Sequence, residues 1–381
     1  MHNKHLSRIG AVAGLLALSL GVVACNPSAR EESSGELAPT VGEPGKAGYA
    51  ESGSLVGEKL IWTTSPGDYA TNQNIAFVEP FGEITGADVT ISDETTDLSK
   101  LKAMLETDSV TWDVMATEST IGEGQCGTLF EPLDFSKIDT SQLREDLVGE
   151  CVIPSDIEVR LLAYNPEAEV FKDDVPTKLE DFFDTKKFPG KRGIDMYPGF
   201  PLVAYFEMAL LADGVAPEDM YPLDYERAFR KFDTIKEDLV IASSVPDLRQ
   251  QFEAGNVVMS IEYSSNAALM ALDGVAIEPV WDKWSAILVG TAIPKGSQNV
   301  DASYAWLNYI AGKEPQGRFS EIHYYPMANL EVDVEYPKEV EPWMPSSEEL
   351  ADQHLPSLDY YSDPKTFEEI LNAYNEWFAT Y

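Results

Sequence analysis

The sequence predicts an α/β protein of two lobes, each a mainly parallel sheet flanked by helices, with a cleft between them. Three observations carry that prediction. The chain has 381 residues, 44% of them apolar, which is enough for a sizeable core and long enough for two units at roughly 150 residues each. Strand-like alternation and helical spacing follow one another along the chain, the pattern of a parallel sheet with right-handed crossovers. Small, polar or aromatic turns follow strands in both halves, and open parallel sheets place their ligands at such carboxyl ends.

The elements follow in order. Residues 59–63 form the first strand, ended by the turn Thr64-Ser65-Pro66-Gly67, and Phe77, Phe81 and Ile84 then fall at helical spacing. Residues 87–92 alternate as a strand. Leu98, Leu101, Met104 and Leu105 share one face of a helix over 97–107, and residues 110–116 are again strand-like. A second block opens with the apolar strand Leu161-Leu162-Ala163-Tyr164 before the breaker Asn165-Pro166. It contains a helix near 178–184 and a strand at 192–197. Helices at 202–213, 224–237 and 246–254 precede strands at 257–263 and 275–280. A further strand lies within 281–294, a helix covers 302–311, and a last helix spans 364–381 with Phe367, Ile370, Leu371, Tyr374 and Phe378 on one face.

The start of the chain reads as an export signal. Lys4 and Arg8 precede an apolar run from Ile9 to Ala24, too short to span a bilayer comfortably. The run ends Val22-Val23-Ala24-Cys25, which resembles a bacterial lipobox with Cys25 as the lipidated residue. Residues 1–24 are therefore expected to be a signal peptide. Residues 25–57, rich in Ser, Gly, Pro, Ala and Glu, are expected to be a lipid-anchored flexible linker. Attachment to the membrane is expected through that lipid alone. Cys126 and Cys151 are the remaining cysteines, an even pair in an oxidising compartment, so a disulfide is the natural reading and two unpaired buried thiols the alternative.

Lys and Arg number 27 against 65 Asp and Glu, a net charge of −38, or −40 once residues 1–24 are removed. Such a surplus argues against nucleic acid, whose phosphates need clustered bases. It is compatible with a cationic or neutral small ligand and with a solvated acidic surface. Residues 331–352, eight acids with Lys338 as the one base, read as a solvated connector. Beyond the signal the histidines are His323 and His354, without zinc-ligand spacing, and neither a phosphate loop nor a nucleophile elbow occurs. No metal and no cofactor are expected, and catalytic signals are weak.

Four turns follow predicted strands: Thr63-Thr64-Ser65-Pro66-Gly67, Thr117-Glu118-Ser119-Thr120, Tyr197-Pro198-Gly199-Phe200 and Tyr263-Ser264-Ser265-Asn266. Each alone would serve as ordinary helix capping. Together, from two lobes, they look like two halves of one cleft.

From Glu58 to Tyr381 the chain resembles the ABC-transporter solute-binding proteins, specifically the spermidine/putrescine-binding family. The resemblance rests on ordered landmarks: Leu60-Ile61-Trp62-Thr63-Thr64, Trp112-Asp113-Val114-Met115-Ala116, Leu162-Ala163-Tyr164-Asn165, and Phe188-Pro189-Gly190-Lys191. Then come Phe206-Glu207-Met208-Ala209-Leu210, Phe252-Glu253-Ala254-Gly255-Asn256, Ala292-Ile293-Pro294-Lys295-Gly296 and Tyr325-Pro326-Met327-Ala328-Asn329. It implies a two-lobed periplasmic-binding-protein-like fold of type 2, with an interlobe ligand cleft. Lobe 1 is expected from residues 58–163 plus 288–334, and lobe 2 from 164–287 plus 335–381. Gly124-Gln125-Cys126 and Gly149-Glu150-Cys151 resemble a subgroup with a disulfide in its first lobe.

The resemblance further implies an extracytoplasmic, monomeric receptor without enzymatic activity, closing on a small ligand by hinge motion and docking on an ABC permease. Ligand-binding residues are expected at Thr64, Ser65, Glu118, Ser119, Thr120, Tyr197, Tyr263 and Tyr325, with Asp195, Trp284 and Ser264 as further candidates. A polyamine-like or other small amine is the first expectation. However, polyamine binders carry acids where this chain has Pro201 and Ala204, and another near Val289, so ammonium recognition would rest on other acids, Glu118 foremost. Glu262, beside Tyr263 on a strand, should point to the opposite side and act structurally. A zwitterionic or anionic metabolite is the alternative, since Ser/Thr-rich turns opening into helices expose backbone N–H groups. An exported carboxylate-based hydrolase and a surface adhesin are the rivals from other classes. The hydrolase needs a pair of carboxyls at a set separation that the sequence does not display.

Overall fold

A computed structural model describes residues 37–92, 98–198, 202–345, 350 and 355–381. The expected signal peptide, Cys25, the start of the linker, Pro201 and His354 lie outside the described residues.

Strand β1 (Lys59–Thr63) leads into α1 (Asp68–Gln73), a wide turn over Asn74–Val78, and α2 (Glu79–Thr85). Then come β2 (Asp88–Ser92), α3 (Leu98–Glu106), β3 (Val114–Glu118), α4 (Ser119–Gly124) and the long β4 (Val152–Tyr164). The middle of the chain supplies α5 (Glu180–Phe183), β5 (Arg192–Asp195), α6 (Val203–Ala212), α7 (Tyr225–Asp233), β6 (Leu239–Ala242), α8 (Val245–Glu253), β7 (Met259–Tyr263) and α9 (Ser264–Leu272). The last elements are β8 (Glu278–Ala292), α10 (Val300–Ile310), α11 (Lys313–His323), α12 (Leu358–Tyr361) and α13 (Pro364–Phe378).

The strands form one eight-stranded sheet in the order β2-β1-β3-β8-β4-β7-β5-β6. Each outer trio is internally parallel, β2-β1-β3 at one end and β7-β5-β6 at the other. Between them β8 and β4 run antiparallel to one another and to the trio each adjoins. The two parallel ends match the expected α/β class, and two long shared strands link them.

Alternation along β4 sorts its side chains cleanly. Ile157, Val159 and Leu161 enter the core that holds Trp62, Phe77, Phe81 and Trp306. Pro154, Asp156, Glu158 and Arg160 occupy the other face. Sequence reading finds only the apolar end of this strand, because three charged residues break the hydrophobic run that marks a buried strand. Likewise the two strands read within 275–280 and 281–294 are one 15-residue strand, β8, over Glu278–Ala292, whose Asp282-Lys283 pair reaches outward. Its pairing with β4 shifts register between Arg160 and Leu162.

The tether expected over residues 25–57 gives way from Leu37 onward, where the chain is folded onto the body. Gly53 and Leu55 donate to the carbonyls of Ile84 and Thr85 at 2.9 Å each, and Gly48 donates to Asn308 at 2.8 Å. Ala50 is buried, and Ala38, Val41, Ala47 and Leu55 pack against the same core. Composition misleads here because a few small apolar residues suffice when glycine lets the backbone come close. A Cβ at Gly312 would stand 2.3 Å from the Cα of Gly48.

Cys126 and Cys151 are disulfide-bonded, with Cα atoms 5.5 Å apart. The bond ties the end of α4 to the start of β4. Trp306 and Trp377 are core residues, Trp377 stacked on Phe229 at 4.8 Å. Residues 331–345 are mostly exposed, with Val340 and Trp343 as buried anchors. No described helix is long and apolar enough to cross a membrane.

Candidate functional site

The polar face of β4 is the floor of the site. Sheet register extends it sideways: Val289 on β8 pairs with Glu118 on one side and Asp156 on the other, so all three lie in one row. The next rows pair Glu158 with Ile287, then Arg160 with Ser285 on one side and Tyr263 on the other. Val289 is the position near which the resemblance to polyamine binders implies an acid. The acids of this chain flank that position on the two neighbouring strands.

Arg160 is fully buried. Its Nη1 and Nη2 both donate to the carboxylate of Asp195, the second bond at 3.1 Å. The Asp195 oxygens accept two further hydroxyls, from Tyr205 at 2.6 Å and Tyr197 at 2.5 Å. The guanidinium carbon lies 3.3 Å from the centroid of the Tyr263 ring. Arg160 holds the Asp195 carboxyl below its ordinary range in spite of burial. This pair is satisfied internally on every side but one: Arg160 Nε has no acceptor among the described residues.

The acids of the floor are in the opposite condition. Burial pushes Glu118 up to about 7 against the opposing pull of Arg160 and of Thr120, whose hydroxyl hydrogen-bonds it. Burial lifts Asp156 to about 6, although Ser155 Oγ donates to it at 2.5 Å and Tyr69 OH at 3.1 Å. Glu158 is raised well above the usual range by burial first, then by repulsion from Asp156. Tyr325 packs beside them: the following residues hydrogen-bond the edge of β4, Pro326 O accepting from Ile157 and Ala328 N donating to Ser155. Its hydroxyl pairs with Ser265, in the first turn of α9. Tyr69 and Tyr325 both meet His323 edge to face, at 5.3 and 4.9 Å. Burial lowers that histidine to about 4, so it stands neutral.

The structure thus brings Glu118, Thr120, Asp195, Tyr197, Tyr263 and Tyr325 around one floor. Ser119 and Ser264, the first residues of α4 and α9, are buried with hydroxyls that have no partner among the described residues. Thr64 is buried with its hydroxyl on Gln73 at 2.7 Å, and Ser65 is exposed on the turn behind it. Trp284 departs from expectation. Its neighbour Ser285 shares the face of Arg160, so Trp284 points to the other face and is buried in the core. Glu262 pairs with Leu161 and therefore lies on that opposite face too, where Asn266 donates to it at 3.2 Å and burial raises it to about 7.

Sequence reasoning missed Asp156, Glu158, Arg160, Tyr69 and Tyr205, and named Ser265 only as part of its turn. The available signal was Asp156-x-Glu158-x-Arg160, three charges at period two ahead of an apolar strand. That pattern puts charge on one face of a central strand. Among the described residues no group of three His, Cys, Asp or Glu is placed to hold a metal ion.

The model of the bacterial extracellular solute-binding protein family matches residues 76–345. The gamma-aminobutyric acid-binding protein of Pseudomonas aeruginosa is 28% identical over 340 residues, covering 87% of this chain and 94% of that protein. Among solved structures, the Atu4243-GABA receptor aligns with a TM-score of 0.76 and 28% identity, over 84% of this chain and 97% of its own. An ABC transporter substrate-binding protein from Bradyrhizobium japonicum gives 0.75 and 26%, over 84% and 99%. A spermidine/putrescine substrate-binding protein from Streptococcus pneumoniae shares the fold at 0.61 and 18% identity, over 84% and 99%. The chain therefore belongs to the bacterial extracellular solute-binding proteins, non-catalytic extracytoplasmic receptors of type 2 fold that pass a small ligand to an ABC permease.

Proposed function

We propose that this receptor captures a small amino acid whose amine and carboxylate are separated by a short chain, of the γ-aminobutyrate kind. The observation that carries the reading is the charge order on one face of β4. Acids at 156 and 158, joined by Glu118, precede an arginine that keeps one buried N–H without an acceptor. Alternate strand residues stand about 7 Å apart, a distance a four-carbon amino acid bridges. In this reading the ammonium lies against Glu118 and Glu158 between Tyr69 and Tyr325. The carboxylate takes Arg160 Nε–H, the Ser264 hydroxyl and the N-terminus of α9. Thr120, Ser119 and Thr64 complete the wall on the β1–β3 side, and Tyr197 and Tyr263 that on the β5–β7 side. Asp195 serves by holding Arg160. The two GABA-binding relatives support a ligand of this class.

Closure is proposed as rotation of the two sheet ends about β4 and β8, the two strands common to both, in a single protomer held to the membrane by lipid at Cys25. A diamine is the second reading. It is favoured by the surplus of floor acids over the one arginine, and disfavoured by Ala204 and Val289, which offer no carboxylate. Calorimetry with γ-aminobutyrate, its homologues one carbon shorter and longer, putrescine and spermidine separates the two. Binding of the amino acids, weakened roughly 30-fold or more by Glu118→Gln, fits the main reading. Binding of putrescine with none of the amino acids would replace it.

A further inference from the structure

We propose that ligand capture at this floor is coupled to proton release: carboxyl groups of Glu118, Asp156 and Glu158 hold protons in the free receptor, and an incoming ammonium group displaces them. The inference deepens the proposed reading of the same site and rests on it only for the presence of an amine in the ligand.

The argument begins with counting charges by position. Glu118, Asp156 and Glu158 share one face of three adjacent strands, in neighbouring rows. Arg160 is the base on that face, and both its Nη groups are committed to Asp195. Among the described residues, three carboxylates are thereby left without a cation of their own. Three like charges in neighbouring rows of one buried face do not all ionise together, and protons fill the deficit.

The surrounding elements supply no remedy. From α1 comes Tyr69, a hydroxyl donor to Asp156. From α4 comes Thr120, a donor to Glu118. Strand β5 brings Asp195 and the turn after it Tyr197, already paired with each other, and β7 brings the Tyr263 ring under Arg160. Tyr325 and the neutral His323 close the far side. Strand β8, between the acids, offers Val289 and Ile287. The pKa directions agree with this picture: Glu118 stands at about 7, Asp156 at about 6, and Glu158 well above its ordinary value.

An ammonium group reverses the balance. It favours the ionised carboxylate, so the acid's pKa falls on binding and a proton leaves to solvent. Affinity therefore rises with pH while the free acids deprotonate, levels off above them, and falls again only as the amine itself loses its proton near pH ~10. A zwitterion leaves its own carboxylate near Arg160 and retains part of the proton load. A diamine expels more protons than an amino acid.

The test is calorimetry of the full-length receptor with γ-aminobutyrate and with putrescine, in phosphate and in Tris, whose ionisation enthalpies differ. The expected result is a buffer-dependent heat at about pH 6.5 equivalent to release of roughly one proton, with Kd weakening up to about tenfold per pH unit below that. The Glu118→Gln variant should release fewer protons and show a shallower pH profile. If γ-aminobutyrate fails and putrescine binds with proton release, the inference stands and the amino-acid reading falls. If either ligand binds with equal heats in both buffers and a constant Kd from about pH 5.5 to 8, the inference is overturned. Carbon-13 NMR of glutamate-labelled free receptor decides independently of any ligand, because Glu207 and Glu262 are also raised by burial but are retained in Glu118→Gln. A glutamate carboxyl titrating near pH 7 and lost in Glu118→Gln supports the inference, and a variant that loses no glutamate titrating above about pH 5.5 overturns it.

Discussion

At the scale of single residues the organising contact is the buried ion pair of Arg160 and Asp195. Removing one partner of such a pair leaves the other charge buried and uncompensated, which costs about 3–5 kcal/mol. Asp195→Asn should therefore lose roughly that much in urea unfolding, far more than a near-isosteric exchange on the surface. The hydroxyls of Tyr197 and Tyr205 cannot replace the missing charge. A loss below about 1 kcal/mol would mean that the pair contributes as little as an exposed one. Asp195, Tyr197 and Tyr263 were legible in the sequence because each lies at or near a strand-ending turn. Arg160 was not, since its importance depends on what three other strands bring to it.

At the scale of elements the fold depends on how closely β4 and β8 approach. Gly290 sits where the two cross near Ile153, and a Cβ there would come within 2.5 Å of the Ile153 carbonyl oxygen. Because that neighbour is backbone, the strands themselves must move. Gly290→Ala should cost about 1–3 kcal/mol and blunt ligand-induced compaction in small-angle scattering, since it separates the two strands that span both ends. The Cys126–Cys151 bond closes a loop of 25 residues in sequence separation. Its replacement by two serines should lower stability by about 3 kcal/mol in the same urea assay, while leaving the β4 floor in place. Helices with clear apolar faces were read closely, α3 and α8 within one residue at each end, while α13 starts where expected and stops three residues short. Strand β4 was read only at its apolar end, because of its charges, and helix α9 was missed because Ser264-Ser265-Asn266 reads as a turn.

At the scale of the whole molecule, acidity and burial act in the same direction. Glu118, Glu207 and Glu262 stand near 7 and Asp156 near 6 when folded, against about 4 for such carboxyls in an unfolded chain. Between those values the folded state binds more protons than the unfolded one, so stability falls as pH rises through that window. The net charge of −38 adds self-repulsion that also grows with pH. The ligand-free receptor should accordingly melt at a higher temperature at about pH 5 than at about pH 8, and ligand should narrow the difference. A melting temperature that climbs steadily from pH 5 to 8 would contradict this. Below about pH 4 the trend reverses, because acids held low by hydrogen bonds and bases, such as Asp195 and Asp213, lose those partners' support.

The sequence by itself determined that the chain is an α/β receptor with parallel sheet ends, a cysteine pair and small polar or aromatic turns at the ends of strands. Those properties follow from periodicity, turn chemistry and local landmarks, all of which are written within a few residues of one another. Only the tertiary structure decided which charges confront each other there. Glu118, Val289 and Asp156 are far apart along the chain and become neighbours through strand register. The segment from Leu37 to Gly57 likewise became part of the body through contacts with residues as distant as Asn308. Global acidity placed no charge at the site. The pairing of three strands did, because a carboxylate's protonation depends on burial and on the nearest base, and neither can be read along one dimension.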